Sequence, residues 1–259
     1  MRYLTQVAVL IAGLSAAPAF CSEGSTAAFE LYRAGNYEAA IAAGEAANDA
    51  EALAVAARAA FAEANLGEKP CLACLQRVEG LARRSLTLDT MHPEGFVYLA
   101  AALGYEARIV GNIRAQLARY PDIAKDALDK ALSVAPDDAW SLASTGAWHI
   151  EVVRGGGSFL ARSLYGARIE TGEDYFRRAF AADPANPVIR FQYALTVSGY
   201  DFSAYRDRAK AQLAAAAMLE PRTAYERAIQ KRALRLLDLI NANKRAEYLA
   251  LVDNYQGYP

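Results

Sequence analysis

Three groups of residues carry reactive side chains at spacings that can be read. The first is Pro70-Cys71-Leu72-Ala73-Cys74. Two cysteines three apart at the start of a helix share a face, and the positive end of the helix dipole favours their thiolates. Such a pair can exchange electrons, close a disulfide or supply half of a zinc site. No Trp-Cys start and no βαβ pattern surrounds it, which weakens the redox reading. No second pair of ligands follows, which weakens zinc. The favoured reading is structural, a Cys71–Cys74 disulfide or two buried thiols. The second group is the histidines, His92 and His149. His92 lies in the turn Thr90-Met91-His92-Pro93, where capping or solvation accounts for it. His149 falls beside Trp148 on an apolar helix, where a polar core contact accounts for it. Glu151 is two positions on and faces another way, so the two form no chelating pair. No serine or cysteine beside either histidine completes a hydrolytic triad. The third group is Gly155-Gly156-Gly157, which follows a helix and lacks the phosphate-loop lysine. No catalytic residue, metal site or cofactor is expected, and the chain reads as non-enzymatic.

The elements that hold these residues are helical. Apolar residues make up 54% of the 259, with alanine frequent and Val/Ile runs sparse, which favours close-packed helices over sheet. Basic and acidic residues number 28 and 29, a balance with no strong field toward nucleic acid or a membrane surface. Arg83-Arg84 and Arg206-Asp207-Arg208-Ala209-Lys210 read as solvated helix faces, and no aromatic ladder accompanies them. No nucleic-acid partner is expected.

Met1-Arg2, the apolar run Val7 to Leu14 and Ala17-Pro18-Ala19 read as a signal peptide over residues 1–19. The run is short for a bilayer span. The expectation is an exported chain, periplasmic or secreted, that begins near Phe20 and keeps no stable membrane span. An uncleaved anchor is one alternative. A lipid anchor at Cys21 is another, and the bulky Phe20 before it argues against that.

A pattern recurs through the rest. Gly35-Asn36-Tyr37 joins two helical stretches, with Ala40 and Ala47 small where helices approach and Leu31, Tyr32 and Ile41 between them. Terminators follow: Ser85-Leu86-Thr87-Leu88-Asp89-Thr90, Ala131 to Pro136, Ala179 to Pro184 and Ala216 to Pro221. After them Phe96, Leu99, Ala100 and Leu103, then Leu142, Gly146 and His149, then Arg190, Tyr193, Ala194 and Val197 fall at packing positions. The pattern predicts helices over 26–34, 37–48, 51–66, 70–88, 94–118, 122–134, 139–153, 172–182, 187–198, 203–219 and 222–242. The last has a stripe of Tyr225, Ile229, Ala233, Leu236, Leu237 and Ile240. The tail, 243–259, extends this helix through Tyr248, Leu249, Leu251 and Val252 and is expected to be disordered beyond.

The Gly-Asn-Tyr turn and the terminators resemble the tetratricopeptide (TPR) repeat, although their spacing is irregular. The resemblance implies an all-α, right-handed TPR-like solenoid of about five helical hairpins over 20–242, with a concave face that binds a peptide or protein. Its groove would be lined by Tyr98, Tyr105, Trp148, Arg190 and Tyr193. Residues Gly155 to Gly172 depart from the repeat. Phe159, Leu160, Leu164 and Tyr165 form an apolar stripe there, with Arg162 and Arg168 outside it. Gly146-x-Trp148-x-x-Glu151-Val152, this insert and Tyr175-Phe176-x-x-Ala179 are similar to the TPR-like domain of the regulator of microtubule dynamics family. That similarity implies a helix, a short amphipathic segment and a second helix. The insert is then either a structural plug of the concave face or a wall of a binding groove.

The leading expectation is a scaffold or interaction protein of the cell envelope. One alternative is a thiol-redox factor using Cys71 and Cys74. Another is a small-molecule carrier, which requires an enclosed apolar cavity beneath Phe159 and Leu164.

Overall fold

The structure, a computed structural model that describes residues 22–259, is all-helical over those residues. The segment read as a signal peptide, Phe20 and Cys21 lie outside them. Twelve helices follow one another there: α1 (Glu23–Ala34), α2 (Tyr37–Ala47), α3 (Ala50–Leu66), α4 (Leu72–Leu88), α5 (Pro93–Val110), α6 (Asn112–Leu117), α7 (Tyr120–Val134), α8 (Ala139–Tyr165), α9 (Ile169–Ala182), α10 (Pro187–Met218), α11 (Ala224–Asn241) and α12 (Arg245–Tyr255). Helices pack mainly against their neighbours in sequence, α3 with α4 and α8 with α9 most extensively. α10 also returns to α8, and α11 touches α1.

The joints have local causes. Gly35 ends α1 in the left-handed region at φ 90°, which costs a glycine nothing. A Cβ on Gly44 would lie 2.3 Å from the Ala52 carbonyl oxygen, so α2 and α3 can cross this closely only with glycine there. Ala40 and Ile41 beside it are fully buried. Asp49, Asp138, Asn186 and Thr223 accept backbone N–H groups at the starts of α3, α8, α10 and α11, each cap contributing about 1 kcal/mol. α7, α9 and α10 stop just before Pro136, Pro184 and Pro221, since proline cannot continue a helical hydrogen-bond ladder.

Three expectations are corrected. The helix expected over 94–118 divides at Gly111, whose φ of 84° and ψ of 157° break the helix. The helix expected over 139–153 continues to a break at Gly157 (φ 75°, ψ 156°), and a second short helix follows to Tyr165. The insert therefore ends at Arg168, not Gly172. Gly172 belongs to α9, where a Cβ would lie 2.7 Å from Ile150 Cγ1; it permits a close crossing rather than ending an insert. The two helices expected over 187–198 and 203–219 form, parted at Asp201 (φ −152°, ψ 90°). The tail is ordered: Tyr248 and Val252 are wholly buried in α12, and Gln256 is 2% exposed.

Candidate functional site

The helices surround a cavity of about 280 Å³ that opens to solvent on one side. α3 contributes Arg58, Phe61 and Asn65. α5 contributes Tyr98, Tyr105 and Arg108, and α8 contributes Trp140, Trp148 and Glu151. These recur every three or four residues, so each helix turns one stripe inward. α10 adds Val188, Phe191, Gln192 and Leu195 at the same spacing. Leu160, Leu164 and Tyr165 of the insert also line it, as do Tyr225, Tyr255 and Tyr258.

Twelve of the lining residues are aromatic. Phe61 meets Tyr105 edge-on at 5.1 Å between centroids, and Trp148 meets Tyr165 edge-on at 6.4 Å. The Trp148 indole donates to the Pro121 carbonyl at 3.0 Å, which fixes the ring. Arg58 Nε donates to Glu94 Oε1 at 2.6 Å. Burial opposes the charge on Arg58, yet Glu94, Tyr98 and Tyr32 raise its pKa overall. Burial pushes the Tyr98, Tyr105 and Tyr225 hydroxyls above their ordinary range, so they stay neutral donors.

The second polar group is a ring of contacts around Glu151. Its Oε1 accepts from Gln256 Nε2 at 2.7 Å, and its Oε2 accepts from the Tyr258 hydroxyl at 2.9 Å. Arg108 Nη2 lies 3.6 Å from Oε2 and Arg154 Nη1 3.8 Å from it. Arg154 also donates to Gln256 Oε1 at 2.7 Å and to Asp253 Oδ1 at 2.6 Å. Its guanidinium stands 4.2 Å from the centre of the Tyr258 ring. The chain end is thus tied to α5 and α8. Asn65 holds the opposite side, accepting from the Tyr225 hydroxyl at 3.0 Å and from Arg232 at 3.2 Å. The charges compensate one another and the hydroxyls stay protonated, an arrangement suited to binding and orienting a guest.

Of the residues expected in the groove and the insert, Tyr98, Tyr105, Trp148, Leu164 and Tyr165 line this cavity. Arg190 and Tyr193 do not. Tyr193 packs between Phe176 and Phe180 and borders a separate groove with Glu173, Arg208 and Gln212. Arg190 donates to Gln212 at 2.9 Å and to the Pro184 carbonyl at 3.1 Å. α10 is buried on both faces, so its apolar period gives no phase from which to choose the inner one. Phe159 is also misplaced: it points outward, 81% exposed. Arg58, Arg108, Glu151 and the tail were missed. Arg58 had a signal, a lone charge within Leu53-Ala54-Val55-Ala56-Ala57-Arg58-Ala59-Ala60-Phe61.

The remaining chemistry-bearing residues lie elsewhere. Cys71 and Cys74 are bonded to each other with Sγ atoms 2.04 Å apart, and Cys71 caps α4. His92 Nδ1 accepts from the Gly95 N–H at 3.2 Å and caps α5, while Nε2 meets Glu51 at 2.9 Å. His149 stacks on Tyr175, and burial, then Lys125, lowers its pKa to about 4. Among the described residues no cluster of three or more His, Cys, Asp or Glu side chains is placed to hold a metal. Compared with protein-family models the chain matches none, and among curated proteins it has no significant relative.

Proposed function

We propose that this protein is a non-catalytic binding protein that holds an apolar small molecule in its central cavity. The observation that carries the reading is the cavity of about 280 Å³, walled by Tyr, Phe and Trp rings and roofed by the insert. Sites for small molecules are typically concave, mostly apolar and furnished with a few fixed polar groups. Here those groups are Arg58, Asn65, Arg108 and the tyrosine hydroxyls. A right-handed TPR-like solenoid is the architecture this reading assumes, supported by the Gly35 turn and the paired helices. Export is supported by the apolar N-terminal run and by the Cys71–Cys74 bond, since disulfides persist where thiols are oxidised.

The chain's two tryptophans, Trp140 and Trp148, both line the cavity, so their fluorescence reads its occupancy. Titration with anilinonaphthalene sulfonate, an apolar anionic dye, should quench tryptophan and brighten the dye. Gly104 lines the cavity, and a Cβ there would meet nothing within 4 Å. Gly104→Phe should therefore abolish dye binding and leave Tm unchanged or higher, because glycine within a helix costs about 1 kcal/mol. Undiminished binding by this variant would remove the cavity as the site.

A second reading, a peptide or protein partner on the concave face, rests on one observation. The chain's own tail packs against the cavity-lining Glu151 through Gln256 and Tyr258, as a bound peptide would. Deleting residues 253–259 should then create binding of tyrosine-bearing peptides. Under the small-molecule reading the deletion only speeds exchange of the dye.

A further inference from the structure

The mouth of the cavity is bordered by two short segments. One is Gly111 to Arg119, which contains α6. The other is Gly155 to Arg168, the end of α8 and its turn. A hydrogen bond links them. Asn112 Nδ2 donates to the Gly155 carbonyl at 2.9 Å. Each segment is bracketed by left-handed residues: Gly111 (φ 84°) and Arg119 (φ 58°) around one, Gly157 (φ 75°) and Gly166 (φ 66°) in the other. Each turns a small side chain inward, Ala115 at 3% exposure and Ala161 at 1%.

Their outer faces are apolar. Ile113 is 78% exposed, and Leu117 and Phe159 are each 81% exposed. Helical spacing puts Ile113 and Leu117 opposite Ala115, and Phe159 away from Ala161. These side chains therefore face away from the core. The two segments also carry Arg114, Arg119, Arg162 and Arg168 and no Asp or Glu. Among the described residues only Arg119 of the four has a carboxylate near it, Asp122 at 3.9 Å. The balanced charge of the whole chain hides this local excess.

We propose that this face docks on an anionic lipid surface, with α6 and residues 158–165 lying at headgroup depth. Short amphipathic helices with arginine beside Phe, Leu and Ile bind membrane interfaces in this way: the guanidinium groups pair with phosphates while the apolar side chains enter the acyl boundary. No helix among the described residues is long and apolar enough to cross a membrane, so the contact is peripheral. An acidic protein would also match the arginines. The lipid surface is favoured because Leu160 and Leu164, half exposed at the rim, also line the cavity. An apolar path thus runs from the docking face inward. Passage of a guest along that path rests on the small-molecule reading; the docking itself does not.

The test is flotation of the full chain with vesicles of equal parts phosphatidylglycerol and phosphatidylcholine, and with phosphatidylcholine alone. The parent should float with the anionic vesicles, less at high salt, and far less with the neutral ones. Arg114→Glu/Arg162→Glu should weaken binding by roughly tenfold or more, and Leu117→Ser/Phe159→Ser by a similar factor. All four positions are exposed, so Tm should not move, and dye binding in solution should be unchanged. The N-terminal apolar run is present in every variant, so the difference reads the mouth segments alone. A parent that ignores anionic vesicles overturns the proposal, as do variants that bind them equally. Unchanged flotation with loss of an acidic protein partner would overturn it in favour of that partner. Failure of dye binding alone would remove the guest and leave the docking standing.

Discussion

The α2–α3 crossing and the two mouth segments are both short helical stretches rich in small residues, and they use glycine in opposite ways. At the crossing, Gly44 has no room for a side chain, with the Ala52 carbonyl 2.3 Å and Ala56 Cβ 2.8 Å from a built Cβ. At the mouth, a Cβ on Gly156 or Gly157 meets nothing within 4 Å. One glycine brings helices together; the others let a segment bend over open space. The crossing is surrounded by wholly buried Ala40, Ile41 and Ala56, whereas the mouth exposes Leu117 and Phe159 at 81%. The difference separates a scaffold that resists change from a surface that meets something else.

The largest expected effect tests that contrast directly. Gly44→Val should cost on the order of 3 kcal/mol by overpacking, and Gly156→Val should stay within about 0.5 kcal/mol. Urea unfolding measures both, and equal losses would break the comparison.

A pair of glutamates extends it. Glu151 on the cavity side is met by Gln256, Tyr258 and two arginines. Glu106, on the same helix as Tyr105 but packed away from the cavity, is fully buried, and neither carboxyl oxygen has a hydrogen-bond partner among the described residues. Burial, and then Glu79, pushes its pKa up to about 7. A raised carboxyl pKa stabilises the fold while the proton is held, and that stability is lost as pH rises from the ordinary 4.5 through about 7. Glu106→Gln should therefore gain about 3 kcal/mol at pH 8 and almost nothing near pH 4. Denaturation midpoints at the two pH values measure the gain, and a gain that does not depend on pH would show that the carboxyl is solvated.

The smallest effect belongs to the tail. Tyr258→Phe removes the hydroxyl bonded to Glu151 at 2.9 Å and should cost about 1 kcal/mol. Hydrogen exchange should rise in α12 more than in α3. Uniform exchange across both would mean that the tail is not a separate, looser closure.

Much of the helical frame was legible. Gly35, Asp138, Pro136 and Pro184 act through their own backbone preferences, which local sequence carries, and they place their helix boundaries well. The inner positions of α5 and α8 were legible because those stripes combine bulky rings with small neighbours. The inner face of α10 was not, since Val188 and Tyr193 are both buried and apolarity alone does not tell core from cavity. The sequence showed only that Glu151 does not share a face with His149, because its partners, Gln256 and Tyr258, are more than a hundred residues away.

The sequence by itself determined that this chain is helical and where most of its helices start and stop. Those outcomes follow from forces that act within a few residues: capping, the fixed φ of proline, and the period of apolar side chains. Only the tertiary structure decided that Arg58, Tyr105, Trp148 and Tyr258 face one cavity, that the tail closes it, and that Phe159 points away. Those outcomes depend on how distant helices are stacked, and the phase of that stacking is set by contacts between segments that no local pattern encodes.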